Sequence, residues 1–451
     1  MAENSTQERL VSLDAFRGMT IAGMVLVNNP GTWSAIYGPL KHAEWHGITP
    51  TDYVFPFFLF IVGVSISIAL GKRKTEKAGS DVYKKIITRS LAIFATGLAI
   101  SALPLFVMGD TNIAWPLKWI AAISIIASLY FLFLRNFKVA FSLIALWAVI
   151  VFGSLIAGSD VAWYNVGQMR IPGVLQRIAV CYLIVSLIFL HTNWKQQAAI
   201  GIALLLVYWL LMTVVQVPGC DVTTIDDKAC NLAAWLDRTI LTEAHIWRSA
   251  KVFDPEGILS TVPALATTIS GVLTGTWLTQ KYKDNDESEG SQATIKDDQA
   301  GDLRKAVGLF FMGTILLAIG WTWSLVFPLN KSLWTSSYVV YTSGLALLTL
   351  GFCYYVIDIK GYKRWARPFV IFGVNALALF VFSGIMARVM GMIRILAADE
   401  KTISLQQWIF NNLFLSWAEP INASLAYAIS FILLWLFLMW LLYRRRLFIK
   451  I

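Results

Sequence analysis

The sequence predicts an all-α, polytopic membrane protein. Hydrophobic residues make up 57% of the chain and charged residues only 14%, and the mean hydropathy is +0.64. A soluble domain carries roughly a quarter charged residues, so this chain lacks the polar surface to cover a water-soluble body. Apolar runs long enough to cross a bilayer recur along its 451 residues. We therefore expect one integral-membrane domain over residues 1–451 with about twelve transmembrane helices, within a range of ten to twelve.

Each span follows from one apolar run. The polar segment before the first run does not resemble a cleavable signal peptide, so that run is expected to stay as a permanent span. Only the sequence RNF separates the fourth and fifth runs, which predicts a tight helical hairpin. A long outer loop is expected at 218–257, and the polar composition of 281–305 predicts a flexible linker. The predicted spans are 18–37, 53–71, 86–106, 115–134, 138–157, 174–191, 197–217, 258–280, 306–326, 334–357, 368–388 and 422–443.

The charge distribution predicts the orientation of these spans. With the N-terminus inside, the inner loops and span ends hold most of the 37 Lys and Arg residues, including the runs at 72–85, 359–367 and 444–450. This agrees with the positive-inside rule, which explains the net charge of +10 better than nucleic-acid binding does. We expect a multi-pass membrane protein with both termini and the linker at 281–305 on the cytoplasmic side.

Polar side chains that could carry chemistry gather at one face of the predicted bundle. They are scattered over the sequence, but the parity of the spans assigns them all to the outer face. The span interiors contain almost no Asp or Glu, which weakens the case for an ion-coupled transporter. The outer-face residues singled out are His42, His46, Asp52, Arg170, Arg177, Asp254, Glu256, Asn330, Lys331 and Trp334.

Structural roles compete with functional ones at several of these positions. His42 and His46 have the spacing of metal ligands on one helix face, but Gly47 and Pro50 argue against a helix, and we predict no metal site. The DPEG stretch that begins at Asp254 reads first as a helix N-terminus, where acidic residues complement the helix dipole.

Charged and aromatic residues near the membrane have their own alternatives. Arg177 lies inside an apolar span, where an unpaired charge is costly, so it should have a partner. Trp45 and Trp334 fit an interfacial aromatic belt as well as a binding site. Cys220 and Cys230 share the outer loop; the alternatives are a disulfide, if the loop faces an oxidising compartment, and two free thiols.

Six stretches resemble the heparan-alpha-glucosaminide N-acetyltransferase family and occur in the family's order. They include residues of the first two spans, of two outer loops and of the C-terminal tail, so the resemblance covers most of the chain. The hairpin at 108–167 and the linker at 282–302 look like additions to the family pattern. The stretches are RLVSLDAFRGMTIAGMVLVNN (9–29), KHAEWHGITPTDYVFPFFLFIVG (41–63), RIPGVLQRIAVCYLIV (170–185), FDPEGILSTV (253–262), PLNKSLWTSSYV (328–339) and YRRRLFIKI (443–451).

The resemblance implies an activity and assigns some residues. The family transfers acetyl from cytoplasmic acetyl-CoA to the amine of a terminal glucosamine across the membrane, and its bacterial relatives occur among chitin and N-acetylglucosamine utilisation functions. The family's active-site histidine corresponds to His42 and not to His46. Its asparagine at the end of the first span corresponds to Asn28, and its outer-loop cysteine pair to Cys220 and Cys230.

Chemistry suggests roles for further residues. Acetyl transfer needs a base near neutral pH for the amine and polarisation of the thioester carbonyl, which suit a histidine and an amide donor. We expect Asp52 to orient His42, Asn28 to face the oxyanion, and Arg177 with Arg170 to hold Asp52 or an acid of the DPEG stretch. The wider substrate-binding set is Trp45, His46, Arg170, Arg177, Asp254, Glu256, Asn330 and Trp334, and the candidate CoA-binding cations of the inner face are Arg17, Arg89 and Lys450.

The predicted function is therefore acetyl-CoA-dependent N-acetylation of glucosamine, or of a small glucosamine-containing saccharide, at the periplasmic face. Acetyl-CoA serves as a co-substrate; the amino sugar and the lipid bilayer are the other partners, without nucleic acid. Two routes stay open, an acetylated His42 and direct transfer with His42 as base. An amino-sugar permease and an acyltransferase for cell-envelope glycans are the alternatives, and a homodimer is left open.

Overall fold

The computed structural model describes residues 10–75, 79–280, 295–396 and 402–449. Over these ranges the chain is almost entirely helical, which confirms the all-α prediction; one short hairpin pairs β1 (Arg394–Leu396) with β2 (Thr402–Ser404). The helices are α1 Val11–Asn28, α2 Val54–Thr75, α3 Ser80–Ala102, α4 Trp115–Phe133, α5 Phe137–Ile156, α6 Val174–His191, α7 Trp194–Val214, α8 Leu232–Leu241, α9 Thr261–Thr279, α10 Ile295–Trp323, α11 Ser336–Cys353, α12 Arg367–Val374, α13 Ala376–Met392, α14 Leu405–Ile409 and α15 Pro420–Arg444.

Every predicted span overlaps a helix, although the first, predicted at 18–37, is the helix Val11–Asn28, so its second half lies in the loop before α2. The helices also differ in how apolar they are. Within the described ranges, nine helices are long and apolar enough to cross a membrane, or ten if the bent pair α12 and α13 counts as one span. The helices α1 and α9 fall outside that set. Both are deeply packed, with most of α9 buried, so neighbouring helices rather than lipid surround them. An interior helix needs less hydrophobicity, and small polar residues favour its close packing.

The central contact is a close crossing of α2 and α9. A methyl group added to Gly63 would come within 2.0 Å of the carbonyl oxygen of Thr268, and one added to Gly271 within 1.9 Å of the carbonyl oxygen of Phe60. Only glycine lets the two backbones approach this closely. The crossing fixes α2, which begins just after Asp52, against α9, which follows the DPEG stretch.

Two predicted elements differ from the structure. The single span predicted at 368–388 is a pair of helices, α12 and α13, bent by 82° at Asn375. The buried Asn375 side chain explains the break, because its Oδ1 accepts from Ile449 N at 2.8 Å and its Nδ2 donates to Leu447 O at 3.2 Å. Helix α10 begins at Ile295, inside the predicted linker 281–305, whose residues 281–294 lie outside the described part of the chain.

The helix directions bring four chain segments to one end of the bundle. Helices α2, α6, α9 and α11 all begin at this end, because they are alternate spans of an up-and-down arrangement. The segments that precede them, residues 38–53, 166–173, 254–260 and 328–335, therefore meet there. They carry most of the polar residues that the sequence assigned to the outer face.

Candidate active site

His42 and Asp52 form a hydrogen-bonded pair before α2. The distance from His42 Nδ1 to Asp52 Oδ1 is 2.7 Å. The other oxygen, Oδ2, accepts from Ala43 N at 3.1 Å and from Thr49 N at 3.0 Å, and it lies 3.1 Å from Thr49 Oγ1, whose single proton also has Lys41 O as an acceptor at 2.6 Å. Two backbone N–H groups on one oxygen, with an imidazole on the other, stabilise the ionised carboxylate. His42 Nδ1 therefore carries the proton of the shared bond, and the lone pair of Nε2 is left for chemistry.

Burial divides this pair into a fixed and an accessible member. The Asp52 side chain is 1% exposed, and its backbone carbonyl also accepts from Tyr338 Oη at 2.6 Å. The His42 side chain is 48% exposed. A buried carboxylate that is fixed by several hydrogen bonds here orients an accessible imidazole. This is the arrangement found where a histidine acts as a base or nucleophile beside an orienting acid.

Lys331, which the sequence singled out at the outer face without assigning it a catalytic or binding role, completes the centre. Its Nζ lies 3.0 Å from His42 Nδ1, 3.1 Å from His42 Nε2 and 3.9 Å from Asp52 Oδ1. Burial lowers the pKa of Lys331, while the charges of Asp52 and Glu256 act in the opposite direction. The PLNKSLW stretch was the available signal, since it lies among the outer-face segments, but the sequence does not tell where a loop lysine points.

The DPEG stretch binds Arg170 rather than starting a helix. Arg170 donates to both oxygens of Asp254, at 2.8 Å from Nε and 2.6 Å from Nη2, and Nη2 also contacts Glu256. These acids raise the pKa of Arg170 although burial alone would lower it. Helix α9 begins only at Thr261, so the helix N-terminus predicted for this stretch is wrong.

A further acidic side chain accepts hydrogen bonds from the backbone of the same stretch. Asp237 in α8 accepts from Ile258 N at 2.9 Å and from Asp254 N at 3.3 Å, and burial raises its pKa to about 6. The charges of Arg170, Arg177 and Lys331 together lower the pKa of Glu256 although its burial acts to raise it. Glu256 is thus bound by Arg170 and also acts electrostatically on Lys331, which contacts His42.

Arg177 is fully buried. The sequence predicted that it would bind an acidic side chain, but its hydrogen bonds go to a backbone carbonyl and a hydroxyl instead. Its Nη2 donates to Gly257 O at 3.1 Å and contacts Ser260 Oγ, and its guanidinium lies 5.1 Å from the centre of the Trp334 ring. Trp334 is 1% exposed and donates through Nε1 to Thr267 Oγ1 at 3.1 Å, so it is a core residue and not part of an interfacial belt.

Trp45 and His46 connect the histidine loop to the outer loop that contains the cysteines. Trp45 Nε1 donates to Ile225 O at 2.9 Å, and His46 Nε2 lies 2.8 Å from Asp226 Oδ1. His46 Nδ1 also lies 3.3 Å from Asn330 Nδ2, next to Lys331. His46 therefore pairs with its own carboxylate on a neighbouring loop, apart from the pair formed by His42.

The structure pairs Cys220 with Cys230, with the two Cα atoms 5.8 Å apart. We expect peptide mapping without reduction to find the peptide containing Cys220 joined to the one containing Cys230. The joined species should separate on treatment with a thiol reductant. The buried Cys181 and Cys353 are the internal controls, because they are free and should stay unlinked. Recovery of Cys220 and Cys230 as free thiols in normally exported protein would contradict the pairing.

The structure places Asn28 beside α13 and Arg17 on α1 against Ser65 of α2. Asn28 is exposed at the end of α1 and lines a cavity of about 240 Å³ with residues of α13; neither His42 nor Asp52 is part of that lining. Arg17 donates to Asp14 at 3.0 Å and to Ser65 Oγ at 2.9 Å.

The positions of the cations predicted to bind CoA bear on the distance between a nucleotide site and His42. Arg89 is exposed on α3 with its guanidinium 5.1 Å from the centre of the Tyr182 ring, and Lys450 lies outside the described residues. Arg17 is bound to Ser65, and at a rise of about 1.5 Å per residue, Ser65 lies roughly 20 Å along α2 from Asp52. An inner-face nucleotide site and the His42 centre would thus be separated by most of the bundle.

The fold and this centre define a polytopic helical membrane protein with a buried-acid and histidine pair at one end. Residues 9–172 match the family model described as "Heparan-alpha-glucosaminide N-acetyltransferase, catalytic". The chain is 26% identical over 429 residues to heparan-alpha-glucosaminide N-acetyltransferase of Mus musculus, covering 84% of this chain and 53% of the relative. It is also 26% identical over 420 residues to the Homo sapiens protein of that name, covering 83% and 52%.

These matches confirm the resemblance to the heparan-alpha-glucosaminide N-acetyltransferase family. The chain spans about half the length of the curated relatives that it matches. His42, Asp52 and Arg170 fall within the matched residues 9–172, whereas Lys331 and the DPEG stretch lie outside them.

Proposed function

We propose that this protein is a membrane N-acetyltransferase that moves acetyl from acetyl-CoA to the amine of an amino sugar. The observation that carries the proposal is the 2.7 Å contact between His42 Nδ1 and the buried Asp52 carboxylate, which keeps the ring proton on Nδ1 and the lone pair on Nε2. The similarity to two N-acetyltransferases of the same name supports the reaction class. We further propose glucosamine, or a small saccharide that contains it, as the acceptor.

The residues of the chain have distinct tasks in this reaction. His42 Nε2 takes the proton that the amine loses as it attacks the thioester carbonyl, or attacks that carbonyl itself and passes the acetyl group on. Asp52 keeps the ring in the productive tautomer and stabilises the imidazolium that forms. Arg170, whose side chain is 29% exposed and is held by the buried Asp254 and Glu256, offers its guanidinium for sugar hydroxyls at the same end of the bundle.

The test is an assay of purified protein with labelled acetyl-CoA and glucosamine. Formation of labelled N-acetylglucosamine that depends on the protein is the expected result. Protein that binds or transports glucosamine without consuming acetyl-CoA would instead identify an amino-sugar permease. Transfer to envelope glycans but not to glucosamine would identify the other acyltransferase class. A homodimer stays a prediction to be measured on the same preparation.

We also propose a bacterial inner-membrane location with His42 at the periplasmic face and both termini in the cytoplasm. In intact cells, a membrane-impermeant thiol reagent is expected to label a cysteine introduced at the exposed Pro39, close to His42 in sequence. A cysteine introduced at Ser291 should react only after the cells are opened. The native free cysteines are buried, which keeps the background low. The reverse labelling pattern would overturn the assignment of faces.

A further inference from the structure

The ammonium of Lys331 contacts the His42 ring from a loop 289 positions away in sequence. On the basis of the proposed acetyl transfer, we propose that Lys331 supplies the positive charge that stabilises the oxyanion formed on the acetyl carbonyl at His42. The sequence had given this task to Asn28. The structure places Asn28 in the cavity beside α13 and places the Lys331 ammonium against the imidazole.

The position of Lys331 Nζ leaves the reactive nitrogen open. Nζ is almost equidistant from the two ring nitrogens of His42, at 3.0 and 3.1 Å. An atom at equal distance from both nitrogens cannot lie along the in-plane lone pair of either one. The lone pair of Nε2 therefore lies in the ring plane and points away from Nζ. The oxygen of a carbonyl group that approaches Nε2 would lie within hydrogen-bonding reach of Nζ, which is the geometric requirement for an oxyanion donor.

The surroundings of Lys331 make its charge effective. Its side chain is 21% exposed, and it lies 3.9 Å from Asp52 Oδ1. Glu256 and Arg177 are the other charged groups that act on it, one of each sign. Partial exclusion of water strengthens an electrostatic contact, and neighbouring acids hold the ammonium in place before the substrate arrives. An ammonium held in this way needs little reorganisation when negative charge develops on the carbonyl oxygen.

In the direct route, the acetyl group moves from the CoA sulfur to the amine nitrogen in two steps. The amine nitrogen attacks the thioester carbon, a C–N bond forms, and the carbonyl π pair moves to the oxygen facing Lys331. That pair then re-forms the C=O bond as the C–S bond breaks, and the bonding pair leaves on the CoA sulfur. The amine proton passes to His42 Nε2 and from there to the thiolate. If His42 attacks first, an equivalent oxyanion forms in each of the two transfers.

Steady-state kinetics of Lys331→Met, with Asn28→Ala as the comparison, test this role. Loss of an oxyanion donor typically lowers kcat by about 10²–10³-fold. We expect a loss of that size in Lys331→Met with little change in the KM for glucosamine, and a smaller loss in Asn28→Ala. Lys331→Arg keeps the charge and should recover part of the rate. The proposal fails if Lys331→Met retains a near wild-type kcat, or if Asn28→Ala loses more than Lys331→Met.

A second measurement does not depend on acetyl-CoA. Diethylpyrocarbonate carries a carbonyl that imidazoles attack, again through an oxyanion, and peptide mass spectrometry gives the rate for each histidine. The rate at His42 should fall in Lys331→Met and partly recover in Lys331→Arg. His46, which pairs with Asp226, is the control in the same molecule, and an unchanged His46 rate also reports an intact fold.

The two measurements separate the two proposals. Wild-type protein that binds glucosamine but transfers no acetyl would refute the proposed function, whereas the diethylpyrocarbonate comparison would still decide the role of Lys331. An equal or faster reaction of His42 in Lys331→Met overturns the oxyanion role, because it would mean that the ammonium only shields the ring.

Discussion

Replacement of His42 by alanine is expected to abolish nearly all acetyl transfer. A general base contributes about 10²–10⁴-fold to a rate, and a nucleophile can contribute more. The side chain removed is the accessible member of the pair, and its Nε2 is the nitrogen left free by the bond to Asp52. Binding of acetyl-CoA should stay measurable, because Arg17, one of the candidate nucleotide cations, binds Ser65 roughly 20 Å along α2 from Asp52. The measurement is kcat/KM with labelled acetyl-CoA and glucosamine, together with acetyl-CoA binding.

His46→Ala is the matched control for this variant. His46 lies on the same loop and also contacts a carboxylate, Asp226 Oδ1 at 2.8 Å, but its Nδ1 faces Asn330 rather than the Lys331 ammonium. We expect its loss to cost far less activity than the loss of His42. If stably folded His42→Ala turns over glucosamine near the wild-type rate, His42 is a structural residue and the proposed centre is wrong.

Incubation with labelled acetyl-CoA in the absence of acceptor separates the two routes that remain open. Label retained on the peptide containing His42 supports an acetyl-histidine intermediate. No retained label, with normal turnover once glucosamine is added, supports direct transfer in a complex of both substrates. Asp52 has the same orienting task in either route, so the geometry of the pair is compatible with both.

The sequence predicted the spans and the face on which the polar residues gather, for physical reasons that apply generally. Long apolar runs must cross the bilayer as helices, and counting the spans assigns each loop to one face. That parity brought His42, Asp52 and Lys331 to one end although Lys331 is far away in the chain. The orienting role of Asp52 was predicted from its type and position, and its contact with His42 agrees with that expectation.

Side-chain directions and local helix geometry could not be predicted in the same way. Whether Lys331 turns toward His42 depends on how the loop before α11 folds against α2, and hydropathy carries no information on that. Arg177 was expected to bind an acid, but its Nη2 donates to Gly257 O and Ser260 Oγ, because the backbone before α9 supplies the acceptors. The break between α12 and α13 depends on Asn375 binding the C-terminal segment, which is a contact distant in sequence.

Asp52→Asn is expected to lower kcat/KM by roughly 10²–10⁴-fold with little change in overall structure. The reason is the set of donors around the side chain. The backbone N–H groups of Ala43 and Thr49 both donate to Oδ2, so an asparagine must place its amide oxygen there. Its NH₂ group then faces His42 Nδ1, which must accept instead of donate. The ring is driven to the tautomer with its proton on Nε2, and the reactive lone pair is lost.

Asp226→Asn is the matched control, because Asp226 contacts His46 at 2.8 Å in the same way but is 72% exposed on its outer loop. We expect Asp226→Asn to keep activity within a few fold of wild type, while Asp52→Asn binds acetyl-CoA normally and turns over slowly. Comparison of kcat/KM, acetyl-CoA binding and thermal stability for both variants separates a tautomer effect from unfolding. An Asp52→Asn protein that is stably folded and fully active would show that His42 needs no orienting carboxylate. The assignment of the pair as the catalytic centre would then lose the observation on which it depends.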